Sequence, residues 1–396
     1  MPIAMIHRST NIERTARVMQ LEGLFDVPPS ERSEVSWRVD LPIEDRDWSI
    51  GLIVGPSGCG KSTVARELFG ESIVGAMHWP ADQSIVDAFP ATLGIKEITG
   101  LLSSVGFSSP PSWLRPFPVL SNGEQFRVTI ARALANAMTN NSIESKRTPL
   151  LVVDEFTSVV DRTVAKVASF AVAKAVRRLG LQFIAVSCHH DIADWLLPDW
   201  TYEPATGEFC WRSLRQRPAI KLTIRKVHSS AWKLFHHHHY LDNTLNPSAH
   251  CFVGFVRLGN EECDTPAVFT AVLPFPHPQA PGWREHRTVC LPDFQGVGIG
   301  NAMSEFVAGM FRATGRPYRS VTSSPSMIRH RARSPLWKMI RAPSSTGYQR
   351  LKGFRRTNAV DRLTASFEFA GPALIDAAGQ FGISNRTHTS QRKSRS

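Results

Sequence analysis

The stretch Gly51 to Thr63, read GLIVGPSGCGKST, constrains this chain more than any other. Gly51 to Val54 ends a short apolar run, the pattern of a buried parallel strand. Gly55 to Ser62 then satisfies G-x-x-x-x-G-K-[ST], the spacing of a phosphate-binding loop. Gly55, Gly58 and Gly60 let the backbone wrap a phosphate without Cβ clashes. The amides from Ser57 through Cys59 to Thr63, at the start of the helix-forming VARELFG, supply donors and partial positive charge. Lys61 would reach the terminal phosphates of ATP, and the Ser62 hydroxyl would ligate Mg2+. A glycine-rich turn with a chance lysine would lack the apolar strand before it and the helix after it.

Further along, residues 120–138 read LSNGEQFRVTIARALANAM. Ser121 and Glu124 have capping-box spacing, and a helix is predicted from there. Its N-terminus, with Asn122 and Gly123, is a second anion-ready position. Pro149 to Val153 reads as another buried strand, followed by Asp154 and Glu155. An acid pair there suits an NTPase: Asp154 holding Mg2+ through water, Glu155 orienting or deprotonating the attacking water. Leu181 to Val186 is a third apolar strand, ending in Ser187-Cys188-His189-His190-Asp191, where a histidine could contact a γ-phosphate. Trp37 could stack on adenine or pack in the core, and Trp48 has the same two readings.

The ordered set of phosphate loop, LSNGEQ, VVDE, SVVD and HHD resembles the nucleotide-binding domain of ABC-type ATPases over residues 34–203. LSNGEQ is similar to their LSGGQ signature, Ser158 to Asp161 to their D-loop, and His190 to their switch histidine. The resemblance implies a homodimer through the ATP sites, each ATP lying between the phosphate loop of one subunit and Ser121 and Gly123 of the other. It also implies that Glu155 and His190 are catalytic. The sequence departs from the pattern in several places, among them extra residues around AMTNNSIESKR before the acid-ended strand and a Q-loop for which Gln83 is the one plausible, early glutamine. Asn122 stands for the second signature glycine, Phe156 follows Glu155 where proline is common, and the region between phosphate loop and signature is short.

Charge divides the chain. Residues 1–216 hold 21 Lys and Arg against 24 Asp and Glu, a net of −3; residues 217–396 hold 25 against 10, a net of +15. An anionic partner for the second half follows as a hypothesis, DNA or RNA ahead of a membrane surface, beside the plainer reading of a soluble basic domain. The six cysteines (59, 188, 210, 251, 263, 290) form no C-x-x-C pair, which fits a reducing, cytoplasmic setting and gives no zinc framework. No apolar run reaches 18 residues and no signal peptide is recognised, so no membrane insertion is expected.

In the second half, Ile220 to Val227, His250 to Leu258, Thr265 to Leu273 and Arg287 to Leu291 read as strands. Between the first two lies His236 to His239, followed by Tyr240. Adjacent histidines point in different directions, so a polar helix end facing a cleft fits better than a metal site. The last of these strands runs into Gln295-Gly296-Val297-Gly298-Ile299-Gly300 at a helix start, where glycines again let amides converge on phosphate. No lysine follows Gly300, so it is not a second loop of the first kind. Tyr318 to Thr322 is predicted as a strand, Ser326 to Ile340 as a helix and Leu363 to Phe369 as a last strand.

The Q-x-x-G-x-G run, preceded by a meander and followed by a helix, resembles the pyrophosphate loop of GNAT acetyltransferases. The order of elements resembles that fold over residues 220–370. The resemblance implies acetyl-CoA as cofactor, its pyrophosphate held by residues 296–300 and its pantetheine arm lined near Cys290 and Leu291. The catalytic base stays open among His239, Tyr240, Glu285, His286, Ser323 and His330. The predicted helix Ser326 to Ile340 lacks the tyrosine that such enzymes often use.

The expected architecture is α/β: an ABC-type ATPase domain followed by an α+β GNAT-like acyltransferase domain. Residues 1–33 form a helical extension with a helix over 11–24, 34–203 the ATP-binding domain, 204–219 a linker, 220–370 the acyltransferase domain, and 371–396 a basic disordered tail. The expected function is a soluble ABC-type ATPase whose ATP-driven dimerisation controls acetyl-CoA-dependent acyl transfer to an amine, with a nucleic acid or a nucleic-acid-associated amine as the candidate acceptor. The alternative is an ATP-hydrolysing nucleic-acid-binding protein with an inactive second domain. A transporter subunit fits less well, given the fused basic domain.

Overall fold

The computed structural model describes residues 3–25, 27–139, 148–212, 218–239, 244–259, 263–344 and 363–383. The chain opens with β1 (Ile3–Asn11), α1 (Ala16–Phe25), β2 (Arg32–Asp40), β3 (Ile50–Val54) and α2 (Lys61–Phe69). Then come α3 (Ile95–Ser104), α4 (Pro110–Trp113), α5 (Asn122–Thr139), β4 (Leu150–Val153) and α6 (Arg162–Leu179). Next are β5 (Gln182–Ser187), α7 (Ala193–Leu196), β6 (Trp200–Glu203) and β7 (Glu208–Trp211). The remainder is β8 (Ile220–Val227), β9 (His250–Leu258), β10 (Thr265–Phe275), β11 (Gly282–Cys290), α8 (Ile299–Arg312), β12 (Tyr318–Thr322), α9 (Pro325–Arg333), β13 (Trp337–Ser344), β14 (Thr364–Phe369) and α10 (Ile375–Gln380).

These elements form two compact units. The first holds Met1–His78, Asn136–Asp161 and Val172–Arg217; the second holds Trp79–Ala135, Arg162–Ala171 and Pro218–Ser396. This division differs from the expected boundary at 203 in that the LSNGEQ segment groups with the second half of the chain.

The first unit is built on a five-stranded sheet in the order β4-β5-β3-β6-β7, parallel except for β7. All five residues of β3 are buried, as a strand covered on both faces requires. Gly51 is forced by packing, since a Cβ there would fall 2.1 Å from the Trp200 ring. A two-stranded ribbon, β1 against β2, contributes Ile6 and Val39 to the core that also holds Ile53, Val64, Val152 and Ile184. Within the expected helical extension over 1–33, the helix is α1, and the residues before it form the strand β1. The expected linker holds a strand, since β7 pairs with β6 at Thr201↔Cys210.

The second unit has a seven-stranded sheet in the order β13-β14-β12-β11-β10-β9-β8. Every neighbouring pair is antiparallel except β11 and β12, which run parallel and register only at Trp283↔Tyr318 and Arg284↔Arg319. A bulge in the β10–β11 ladder skips His286: Ala271 pairs with Arg287 and Val272 with Glu285. The amphipathic α8 packs on one face, against β10, β11, β12 and β14. The opposite face is covered near β9 and β10 by Trp232 and Phe235, which pack on Cys251, Val253 and Phe269. The helix expected over Ser326 to Ile340 ends at Arg333, and Trp337–Ser344 is a strand. Ser334 precedes Pro335 and is extended there, as the proline ring demands. Within the expected tail, α10 is ordered, with Ala378 and Ile383 buried.

Candidate functional site

The phosphate loop, the acid pair and the histidine turn all follow strands of one sheet. β5 lies between β4 and β3 and runs parallel to both, so the three strands end on the same edge. Open α/β sheets bind ligands at that carboxyl edge, where the strand order changes direction. Ser62 Oγ donates to Asp154 Oδ1 at 2.9 Å across 92 residues of sequence. The two are hard oxygen donors side by side, a set that fits Mg2+. Asp154 Oδ1 also accepts the Glu155 amide at 3.0 Å, and Arg66 lies 3.7 Å from Oδ2. Lys61 Nζ donates to Pro56 O at 2.7 Å and closes the loop on itself.

Gly60 caps α2 in the left-handed conformation, φ 90° and ψ 10°. The first helical bond is Val64 N–H to Gly60 O, so the amides of residues 61–63 fall outside the helical ladder and face a prospective anion. Trp37 packs beside this glycine; a Cβ on Gly60 would lie 3.0 Å from its ring. That places an aromatic surface at the loop, whereas Trp48 packs edge-on against Trp200 in the core.

Glu155 is exposed, with φ 54°, and Thr157 has φ 69°. Left-handed backbone at non-glycine residues costs roughly 1–2 kcal/mol each. Phe156 between them explains the strain: it is fully buried, stacks edge-on with Phe183, and its N–H donates to Val186 O at 2.8 Å. The residue that departs from the usual proline is thus a core anchor that turns Glu155 outward. His190 begins a short 3-10 turn after β5 and is exposed.

In the second unit, Ser121 and Glu124 form the expected capping box. The Ser121 N–H donates to Glu124 Oε2 at 3.0 Å and the Glu124 N–H to Ser121 Oγ at 3.4 Å. The same helix, α5, carries Arg127, which is buried and donates to Asp293 O at 3.2 Å. Beside it, the Ser108 N–H donates to Gln295 Oε1 at 2.7 Å, and Gln295 Nε2 donates to Cys290 O at 3.0 Å. Gly106 and Gly296 meet back to back. A Cβ on Gly296 would sit 2.7 Å from Gly106 Cα, and one on Gly106 would sit 2.6 Å from Gln295 O. The glycine run at 295–298 is thus keyed to the lobe that carries LSNGEQ.

Gly298 caps α8 with φ 94° and ψ 0°, nearly the geometry of Gly60. The first bond of α8 is Ala302 N–H to Gly298 O, which leaves the amides of Ile299, Gly300 and Asn301 outside the ladder. Val297 lies in the turn before it, and Leu291 N donates to Ala267 O at 2.8 Å. Burial pushes the nearby Cys290 thiol up to about 12, with Arg127 opposing and Asp293 adding, so it stays protonated at neutral pH.

The acyl-transfer candidates do not converge. Glu285 is buried and accepts from Thr288 Oγ1 at 2.6 Å, Ser304 Oγ at 2.7 Å, Arg331 at 2.8 Å and Ser320 Oγ. Burial raises its pKa, but Arg331 and the three hydroxyls more than offset that, and the net shift is downward. Four donors occupy its lone pairs, so in this arrangement it is a structural anion. His286, on the bulge, is pushed down to about 4 by burial and by Arg287 and Arg284, too low for an efficient base at neutral pH. His239 is buried against Trp232. Ser323 is half-buried just after β12. Tyr240 lies outside the described residues. His330 pairs with Glu305 at 2.8 Å. Among the described residues no three potential metal ligands come together, the histidine run included.

Sequence reasoning passed over Arg127, Gly106 and the partners of Glu285. A signal for Arg127 was present: it shares the stripe of α5 with buried Ile130, Ala131 and Leu134, where a cation needs a partner. Nothing local marks Ser304, Ser320 or Arg331, because they meet Glu285 only through the tertiary fold.

No family model matches the chain. It is 27% identical over 191 residues to the spermidine/putrescine import ATP-binding protein PotA of Salmonella typhimurium, covering 40% of this chain and 47% of that one. The same protein from Salmonella choleraesuis matches equally. The chain thus spans about half the length of the curated relatives it matches. Among solved structures, the dimeric ABC transporter cassette MJ0796 is similar at TM-score 0.33 and 17% identity, over 44% of this chain and 89% of that one. The cbiO1 protein of Clostridium perfringens is similar at TM-score 0.30 and 19% identity, over 43% and 77%. Among the described residues no helix is long and apolar enough to cross a membrane. With the phosphate loop, the signature, the acid-ended strand and the histidine turn in their order, this part of the chain is similar to ABC-type ATP-binding proteins.

Proposed function

We propose that this protein hydrolyses ATP as a homodimer and that the nucleotide cycle governs an acetyl-CoA-dependent N-acyltransferase in its second unit. The carrying observation is that the LSNGEQ lobe and the 295–300 glycine loop belong to one unit and are keyed together by Gly106, Gln295 and Arg127. ATP held between the phosphate loop and a partner's Ser121 and Gly123 would act on that lobe, and the lobe touches the loop directly. The hydrolytic roles fall to Glu155 and His190, with Mg2+ held by Ser62 and, through water, Asp154.

Several features support the acyl-CoA reading. The meander β9-β10-β11 leads into the glycine loop and α8, then β12, in the order that the GNAT resemblance implies. The amides of residues 299–301 offer an anion the same helix start as the phosphate loop does. β11 and β12 register only at Trp283↔Tyr318 and Arg284↔Arg319 and part beyond them, the divergence that an extended arm would need. The residue that acts as base is not assigned by this reading, since Glu285 is saturated and His286 too weakly basic.

Calorimetry with acetyl-CoA, with and without ATP, tests it. Saturable binding lost in Gly298→Asp and altered by ATP is the expected result. No binding in either state would remove the acyltransferase half and leave the ATPase half standing. The net charge of +15 in residues 217–396 favours a second reading, ATP-dependent nucleic-acid binding without acyl transfer. Strong, salt-sensitive DNA or RNA binding without acetyl-CoA binding would be its mark.

A further inference from the structure

On the face of the seven-stranded sheet turned away from α8, four charged residues stand in register across four strands. Arg284 of β11 pairs with Arg319 of β12, Arg319 with Glu368 of β14, and Glu368 with Lys338 of β13. All four line one cavity of about 560 Å³. Arg319 Nε donates to Glu368 at 3.1 Å and its guanidinium lies 5.7 Å from the Phe275 ring, so this cation is both neutralised and fixed. Arg284 and Lys338 have no hydrogen bond or ion pair among the described residues. The row therefore carries three cations and one anion.

Such a row works against the sheet. Neighbouring strands lie about 4.8 Å apart, and like charges directly opposite one another destabilise a ladder. Arg284 opposite Arg319 is such a pair; Glu368 neutralises Arg319, but no described residue pairs with Arg284. The same cavity exposes Val321 and Ile340, at 54% and 52%, so its wall is apolar as well as cationic. A ligand that answers both features carries about two negative charges on one group and an apolar or planar body. A phosphate monoester has that charge near neutral pH.

We propose that this cavity binds a phosphate monoester with a planar organic body, its phosphate between Arg284 and Lys338 and its body on Val321 and Ile340. The site is separate from both glycine loops, and its binding does not depend on acyl transfer. The phosphate could belong to a free nucleotide or to the end of a nucleic-acid strand, since both present the same group.

The test uses the full chain carrying Lys61→Ala, which removes phosphate binding at the first loop. Calorimetry is run with uridine 5′-monophosphate, with uridine, and with a short oligonucleotide bearing or lacking a 5′-phosphate. Uridine 5′-monophosphate should bind at least tenfold more tightly than uridine, and Arg284→Gln and Lys338→Gln should each weaken it about tenfold. If only the 5′-phosphorylated oligonucleotide shows this preference, the site stands and its ligand is a strand end. Without ligand, Arg284→Gln should melt no lower than the parent, because it removes a repulsion. Binding that ignores the phosphate in both pairs of probes, absence of binding to all four, or affinities unchanged in both variants would overturn the proposal. Lys338 is exposed on β13, so its variant reports on the site even if Arg284→Gln folds poorly.

Discussion

At the scale of single residues, the most consequential contact is one that local sequence does not mark. Glu285 and Arg331 are 46 residues apart and meet as a pair exposed by only 5% and 1% of their side chains. Arg331 also donates to Ser304 at 2.8 Å and to Ser320, and lies 4.2 Å from the Trp337 ring. Removing one member leaves an uncompensated buried charge, which costs about 3–5 kcal/mol. Arg331→Leu should therefore lower stability by that amount in urea unfolding followed by tryptophan fluorescence. Adding Glu285→Met should recover most of the loss, since a buried pair replaced by apolar groups is often neutral. A loss under about 1 kcal/mol in the single variant would refute the network's role. His286 makes a second, pH-dependent statement. Its folded pKa of about 4 lies below its ordinary value of 6.5, so the unfolded chain binds the proton first. Its contribution is intact above pH 6.5 and is lost as the pH falls toward 4. Unfolding midpoints at pH 7.5 and pH 4.5 should differ less in His286→Gln than in the parent. An equal difference would show that the acid sensitivity in this window does not come from His286; Glu285, with its lowered pKa, loses its contribution only at lower pH.

At the scale of elements, the two glycine-capped helices carry most of what the sequence could tell. Lys61 to Phe69 and Ile299 to Arg312 each follow a left-handed glycine, and both were legible because phosphate-binding turns need glycine at fixed positions. Strands were also legible where one face is buried: Ile220 to Val227, His250 to Leu258 and Tyr318 to Thr322 stand with the expected bounds. β13 was hidden because KMIRAPS alternates poorly, and its partner β14 fixes it as a strand. β1 was hidden for a similar reason, since only Ile6 of its residues is buried. The partner of the second glycine loop was illegible because VGF at 105–107 has no motif. Its Gly106 has φ 86° and touches Gln295 across 189 residues. Gly106→Ala should lose roughly 1–2 kcal/mol from left-handed strain alone. It should also separate the lobe from the loop, because the new Cβ meets backbone that cannot swing away. Hydrogen exchange should then show faster exchange at Ser108, whose amide is held by Gln295. Unchanged protection there would mean that the two segments yield without parting.

At the scale of the whole molecule, the division into units sets what ATP can do. The phosphate loop and the acid pair fall in one unit, and the signature falls in the other, together with the seven-stranded sheet. Sequence order could not reveal that grouping, because Trp79–Ala135 and Arg162–Ala171 lie inside the stretch that resembles a single ATPase domain. If ATP joins two chains at phosphate loop and signature, each nucleotide grips the first unit of one chain and the second unit of its partner. Dimerisation and the state of the second unit are then linked, and each must alter the other's equilibrium by the same factor. Two variants separate the steps. Lys61→Ala removes the phosphate contact, so it should stay monomeric with ATP in light scattering. Glu155→Gln keeps the contacts of Ser62 and Asp154 but loses the carboxylate proposed to activate water, so it should accumulate an ATP-bound dimer with turnover reduced on the order of a hundredfold. In that trapped dimer, acetyl-CoA affinity should differ from the nucleotide-free value. By reciprocity, acetyl-CoA should shift the ATP concentration at half-dimerisation by the same factor. A dimer that forms without any change in acetyl-CoA affinity would mean that the Gly106–Gly296 contact holds the LSNGEQ lobe and the glycine loop side by side without coupling them.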